Sequence, residues 1–268
     1  MQAPEPFFAE IRGERLFCVL HRPADPTSFA VLLVPPFAEE ANKTRHLATR
    51  QARKLAAAGM AVLLVDLYGT GDSAGEFAEA TWERWCNDVG GAADWLENAG
   101  YEVIVPWCVR LGAALGHSAG LLDGAQPVVL WQPVFSGRAY FNQFIRLRLA
   151  GGLTDSERLS RADLEAQLTR DGYLDIAGYR LNHTLIEALQ ALETPESPPT
   201  GPIAWFEVTS AAQPALGRAA RQTVANWQGR GAQLTASAVS GDPFWATQEL
   251  GFAPDLLDAT ARWLSTQR

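Results

Sequence analysis

The stretch YEVIVPWCVRLGAALGHSAG, residues 101 to 120, decides how the rest of the chain is read. It opens as an apolar, β-branched run and closes as a glycine-studded helical pattern, the signature of a buried strand turning sharply into a helix. Two positions in it compete for the bend. GHSAG, residues 116 to 120, is a literal G-x-S-x-G match, the pattern that mounts a nucleophilic serine on a strained strand-to-helix elbow. Ser118 comes too late for that role. Only residues 119 to 126 separate it from the next apolar run, PVVLWQPV at 127 to 134, so no helix fits between. Counting from the strand at Val103–Trp107, the bend falls at Cys108-Val109-Arg110-Leu111-Gly112 and leaves residues 111 to 126 for a helix and its loop. Arg110 then stands where the nucleophile should be, and a guanidinium cannot attack an acyl carbon.

Working outward, strand and helix patterns alternate. Residues 6 to 23 read as two short strands around Arg12-Gly13. FAVLLVPP at 29 to 36 and AVLLVDL at 61 to 67 are continuous apolar runs, as expected of strands covered on both faces. An amphipathic helix over 42 to 58 joins them, and Thr81 to Asn98 is the clearest helix of the chain. Two later strands, at 202 to 209 and 233 to 241, are followed by helical patterns at 212 to 228 and 254 to 266. This predicts an α/β fold with a mostly parallel, doubly wound sheet of about eight strands. Residues 137 to 200 break the alternation with three helical patterns and no strand, Thr154-Asp155-Ser156-Glu157 forming a capping box for one of them. They read as a helical cap inserted after the sixth strand, with 1–136 and 201–268 forming the core.

Composition narrows the function. The 268 residues are 47% hydrophobic and 19% charged, an ordinary globular balance. A net charge of −8 argues against a nucleic-acid footprint and against adhesion to anionic lipid. No apolar run reaches the roughly 18 residues of a membrane span. The acidic residues of MQAPEPFFAEIRGERL do not suit a signal peptide. Cys18, Cys86 and Cys108 lack metal-binding or C-x-x-C spacing and read as reduced, buried thiols, so a cytoplasmic location is expected. No metal site and no cofactor are indicated.

The order of elements, the DLYGTGDSAG turn at 66 to 75 and the cap position resemble the α/β-hydrolase superfamily over nearly the whole chain. More narrowly, VPPFAEEANKTRH at 34 to 46, WCVRLGA at 107 to 113, LWQPVFSG at 130 to 137 and SGDPFW at 240 to 245 are similar to the second type of exosortase (PEP-CTERM) system-associated hydrolases of bacteria. That resemblance implies a nominal hydrolase encoded beside protein-sorting and exopolysaccharide genes, and with it a possible protein partner from that pathway. A serine hydrolase of this fold needs a nucleophile, an acid after the seventh strand and a histidine after the last. Here these places hold Arg110, the carboxylate-free SAAQPAL at 210 to 216, and Gly241-Asp242-Pro243-Phe244-Trp245, with Pro243 near the histidine position. The standard triad is therefore expected to be missing, as in a pseudoenzyme.

Of the four histidines, His21 and His117 fall away from the expected pocket, whereas His46 and His183 can approach it. A buried arginine needs a partner, and the sequence offers Glu39, Glu40, Asp72 and Glu207. Arg110, Glu40 and His46 are the residues assigned to a non-standard charged site. Phe37, Glu39, Trp131, Phe244 and Trp245, at or just past strand ends, are assigned to ligand binding. A pocket of that kind suits an acyl chain or a sugar ring. Two readings stand: a small-ligand or partner-binding protein without triad chemistry, and an ester or thioester hydrolase with an unlocated nucleophile, Ser118 being the literal candidate.

Overall fold

The computed structural model describes residues 2–150, 160–247 and 249–268. The chain opens with a hairpin of β1 (Glu5–Ile11) and β2 (Glu14–His21). Its turn residues Arg12 and Gly13 both have positive φ, 52° and 86°, as a type I′ connection demands. The two apolar runs become β3 (Phe29–Val34), buried at every residue, and β4 (Ala61–Val65), and they pair in parallel. Between them runs α1 (Glu39–Ala57). It starts three residues earlier than its apolar periodicity suggests, because Glu39 and Glu40 belong to its first turn, where carboxylates meet the positive end of the helix dipole.

Next come α2 (Trp82–Asn98), capped by the Thr81 hydroxyl on Arg84 N, then β5 (Val103–Val109), α3 (Gly112–Ser118) and β6 (Val128–Trp131). The segment from Gly137 to Thr200 holds α4 (Gly137–Ala150), α5 (Arg161–Asp171), the strands β7 (Tyr173–Ile176) and β8 (Tyr179–Asn182), and α6 (His183–Ala191). The cap is therefore not all-helical. YLDIAGYRLN closes a hairpin over Ala177-Gly178, whose φ values of 52° and 85° again fit a tight two-residue turn. The capping box expected at 154–157 lies outside the described residues. One is present at Ser160, whose side chain accepts from Asp163 N while the Asp163 carboxylate accepts from Ser160 N.

The core finishes with β9 (Ile203–Thr209), α7 (Arg218–Gly229), β10 (Leu234–Ser240) and α8 (Pro254–Ser265). The eight-stranded sheet runs β1-β2-β4-β3-β5-β6-β9-β10, with β2 antiparallel to its neighbours and the remaining pairs parallel. Buried residues of α1 and α8 pack on one face. Those of α2, α3 and α7 pack on the other, in a cluster that also takes in the buried cap residues Phe141, Phe144, Leu174 and Leu185. The cap thus shares its apolar interior with the sheet.

The turn after β4 is fastened to α2 through a buried carboxylate. Asp88 accepts from Tyr68 N at 2.8 Å, and Trp85 Nε1 donates to Tyr68 O at 3.0 Å. Burial pushes the Asp88 carboxyl up to about 6, despite the hydrogen bond from Tyr68 that favours its charged form. Since the folded value lies above that of the unfolded chain, stability contributed by this group is complete below about pH 4 and is lost as pH rises through 6. Asp88→Asn keeps an acceptor for Tyr68 N and removes the charge. Its unfolding free energy, from urea titration, should exceed that of the parent by about 2 kcal/mol at pH 7.5 and match it near pH 4; a difference independent of pH would remove the carboxylate from the explanation.

Candidate functional site

The strand-to-helix bend is set by backbone geometry at three residues. β5 ends at Val109, Arg110 takes φ 55°, and α3 begins at Gly112. The bend is pinned on both sides: Arg110 N donates to Trp131 O (2.9 Å), and Arg110 O accepts from Val134 N (2.9 Å) and Ala113 N (3.1 Å). Gly112 is needed because any Cβ there would run into the Val34 carbonyl, with Pro35 O only 2.8 Å away. A positive φ on a non-glycine residue at the carboxyl edge of a parallel sheet is the strained conformation of a nucleophile elbow. Arg110 occupies it. Ser118 is exposed at the far end of α3.

The Arg110 side chain folds under the cap and is only 6% exposed. Nη2 donates to Glu40 Oε1 at 3.1 Å, and Nε lies 3.3 and 3.4 Å from the two carboxylate oxygens. Nη1 donates to Gln132 O at 3.4 Å, and Cζ stacks 4.8 Å from the Trp245 ring centroid. Gln132 is held in turn: φ is 44°, and its side-chain oxygen accepts from Val208 N at 2.8 Å. From α4, the Tyr140 hydroxyl hydrogen-bonds to Glu40. Burial holds the Glu40 carboxyl above the usual range even though the Arg110 guanidinium pulls it down. Burial and the neighbouring Glu40 hold the Tyr140 hydroxyl well above its ordinary value.

Of the four carboxylates offered by the sequence, Glu40 takes the pair. Glu39 binds Lys43 at 3.1 Å, Glu207 accepts from Gly217 N at the start of α7, and Asp72 sits in an exposed turn. His46 is not brought to the cluster. Its ring nitrogens face the carbonyls of Lys43 (3.1 Å) and Gly251 (2.7 Å), so backbone contacts occupy both. His183 pairs with Glu187, and His21 lies buried on β2. After β10, Asp242 is engaged twice by Phe252: its N–H donates to Phe252 O, and its carboxylate accepts from Phe252 N. The Cys108 thiol is fully buried and burial pushes it far up, away from the thiolate a nucleophile needs.

Two hollows flank the elbow. A small one of about 110 Å³ is lined by Glu39, Glu40, Lys43, Tyr140, Phe144 and Trp245. A larger one of about 380 Å³ opens between α1, the turn after β4 and the start of α2, and reaches Phe37, Leu111 and Leu115. Glu39 and Trp245 therefore line the small cavity and Phe37 the larger one. Trp131 and Phe244 line neither. Strand alternation turns Trp131 to the α1/α8 face, opposite to Leu130; there its ring lies 4.6 Å from Trp107 and its Nε1 donates to Thr260 Oγ1 at 2.8 Å. Phe244 packs 6.1 Å from Trp131 in the same cluster. Both are core residues, which corrects their assignment to ligand binding. Tyr140 and Gln132 went unassigned in the sequence. The one local signal for Tyr140 was its aromatic neighbour four residues on, Phe144. Among the described residues no group of three or more His, Cys, Asp or Glu could hold a metal ion.

A family model described as X-Pro dipeptidyl-peptidase (S15 family) matches residues 12–122, from the opening hairpin to just beyond α3. None of the curated proteins compared with the chain matches it. Solved structures resemble it along almost its full length. Est1E from Butyrivibrio proteoclasticus, with ferulic acid bound, has a TM-score of 0.68 at 15% identity, over 97% of this chain and 98% of its own. An alpha-beta serine hydrolase homologue from Coxiella burnetii scores 0.57 at 12% identity, over 98% and 96%. Alpha/beta hydrolase domain-containing protein 10 from mouse scores 0.55 at 12% identity, over 98% and 96%. With the strand order and the geometry of the bend, these likenesses identify the chain as a protein of the α/β-hydrolase fold.

Proposed function

We propose that this protein binds a small ligand beneath its cap and does not carry out serine-hydrolase chemistry. The observation behind the reading is the side chain at the elbow: a permanently charged guanidinium, paired with a buried carboxylate, stands at the position of an attacking hydroxyl. Two further features support it. Residues 210 to 216 contain no carboxylate, and none of the four histidines lines the cavity above Arg110. A volume of 110 Å³ accommodates only a few heavy atoms. Glu40, Tyr140 and Lys43 can hydrogen-bond a polar group there, while Phe144 and Trp245 cover an apolar one. The end of an acyl chain or part of a sugar ring has that mixed character. The segments shared with exosortase-associated hydrolases favour a ligand or protein partner from the sorting and exopolysaccharide pathway, and three free cysteines fit a reducing, cytoplasmic setting. No described helix is long and apolar enough to cross a membrane.

A fluorophosphonate probe tests the reading. Folded protein is expected to remain unlabelled under conditions that label a serine esterase to completion. Stoichiometric labelling that vanishes in Ser118→Ala would establish the alternative, an active ester or thioester hydrolase.

A further inference from the structure

The sheet ends on two strands of opposite character. β1, at one edge, carries Glu5, Pro6 and Glu10, and the Arg15 guanidinium covers Phe8 at 3.9 Å. Charge and a missing N–H are how sheet edges are kept from pairing with another chain. β10, at the other edge, has none of these safeguards: LTASAVS holds no charge and no proline, in a chain that is 19% charged. None of its residues is buried. The ladder decides which of its backbone groups are already used. Ile203 N donates to Gln233 O and Gly241 N donates to Thr209 O, so in the parallel register that sets Leu234 beside Ile203 the odd-numbered residues of β10 bond to β9. Leu234, Ala236, Ala238 and Ser240 therefore turn their N–H and C=O outward. Gln228 Nε2 takes the Leu234 carbonyl at 3.4 Å, and just past the strand Asp242 N donates to Phe252 O. Among the described residues nothing bonds to the outward groups of Ala236, Ala238 or Ser240.

We propose that β10 is a dimerisation edge, on which a second copy of this chain lays its own β10 antiparallel about a two-fold axis through Ser237. The strand is complementary to itself in that register, and this singles out a second copy as the occupant. Ala236 of one copy faces Ala238 of the other as a hydrogen-bonded pair, in which each outward N–H meets an outward C=O, and the same pair recurs across the axis. Ser237 faces Ser237, Thr235 faces Val239 and Leu234 faces Ser240. Small and β-branched neighbours of this kind pack across a ladder, and no like charges meet. Slipping the register by one residue would set outward-facing groups against inward-facing ones and lose the pairing. Copies with a net charge of −8 repel one another, so contact is favoured along a run free of carboxylates, which Gln233 to Ser240 provides. The proposal stands whether or not the elbow is catalytically silent.

Sedimentation equilibrium of the full chain in reductant tests the association, and twice the mass of the chain is expected through the upper micromolar range. Ala238→Pro removes one outward N–H from each copy without touching the ladder to β9, and should raise the dissociation constant roughly 10- to 100-fold. Ser237→Lys sets like charges opposite each other on the axis and should give monomers with an unchanged circular dichroism spectrum. Mild oxidation reads the register. The thiol of Ser237→Cys would face its own copy in a non-hydrogen-bonded pair, close enough for a disulfide. That variant should cross-link far faster than Ser240→Cys, and than the parent with its three free cysteines. A parent that stays monomeric throughout would overturn the proposal and leave the edge to a strand of another protein. A dimer unaffected by both Ala238→Pro and Ser237→Lys would place the interface elsewhere, and equal cross-linking of the two cysteine variants would overturn the register.

Discussion

Arg110→Ala is expected to lower the unfolding free energy by about 3–5 kcal/mol, because it strands the Glu40 carboxylate under the cap without its cation. The loss should depend on pH in a definite direction. The folded Glu40 carboxyl already sits above its ordinary range through burial, and removing the guanidinium raises it further. A raised carboxyl gives its full stability below the unfolded value and loses it as pH climbs through the folded one, so the gap between parent and variant should widen from pH 5 to pH 8. Urea midpoints at the two pH values, with unchanged m, measure this. Replacing both partners, Arg110→Met with Glu40→Leu, should recover most of the loss, since an apolar pair of similar volume is often no worse than a buried ion pair. An Arg110→Ala protein as stable as the parent at both pH values would mean that the pair is solvated and the cap open.

Trp131→Ala is the second large effect. The ring is fully buried, stacks edge-on against Trp107 and hydrogen-bonds Thr260, which is buried too. Truncation should cost about 3–5 kcal/mol from cavity formation alone. The stranded Thr260 hydroxyl adds to the loss. Trp131→Phe should cost less. Trp245→Ala, which removes a half-buried ring from above Arg110, should change stability far less and act mainly on ligands of the small cavity. A Trp131→Ala protein within 1 kcal/mol of the parent would indicate a ring lining a hollow rather than a packed interior. Measuring both variants in one series separates core from site at two tryptophans that the sequence alone places together at strand ends.

The parallel strands were legible because their apolar runs admit no other burial, and the elbow because strand and helix lengths between residues 103 and 128 leave only one place for the bend. The β7–β8 hairpin was harder to see. Its four-residue strands lie among helical patterns, and the turn uses Ala177 at positive φ, a residue that gives no turn signal. Glu40 as the partner of Arg110 could be named as one of four candidates, but choosing it required the fold, since 70 residues separate the two. Tyr140 is 100 positions from Glu40 on an element whose orientation no periodicity reveals. Trp131 and Phe244 were misplaced for another reason. Strand-end aromatics can turn to either face, and register across β6, β5 and β9 decides which.

The hairpin of the cap has a mechanical consequence. Asn182 grips the carbonyls of Ala78 and Ala80, while Tyr179 leans on Phe77 at 4.8 Å and accepts from Asn42. Besides its chain connections near Gly137 and Thr200, the insertion is thus also moored on the rim formed by the β4–α2 turn and α1. A roof tied to this rim, and through Phe141, Phe144, Leu174 and Leu185 to the interior of the sheet, cannot swing like a door without breaking both sets of contacts.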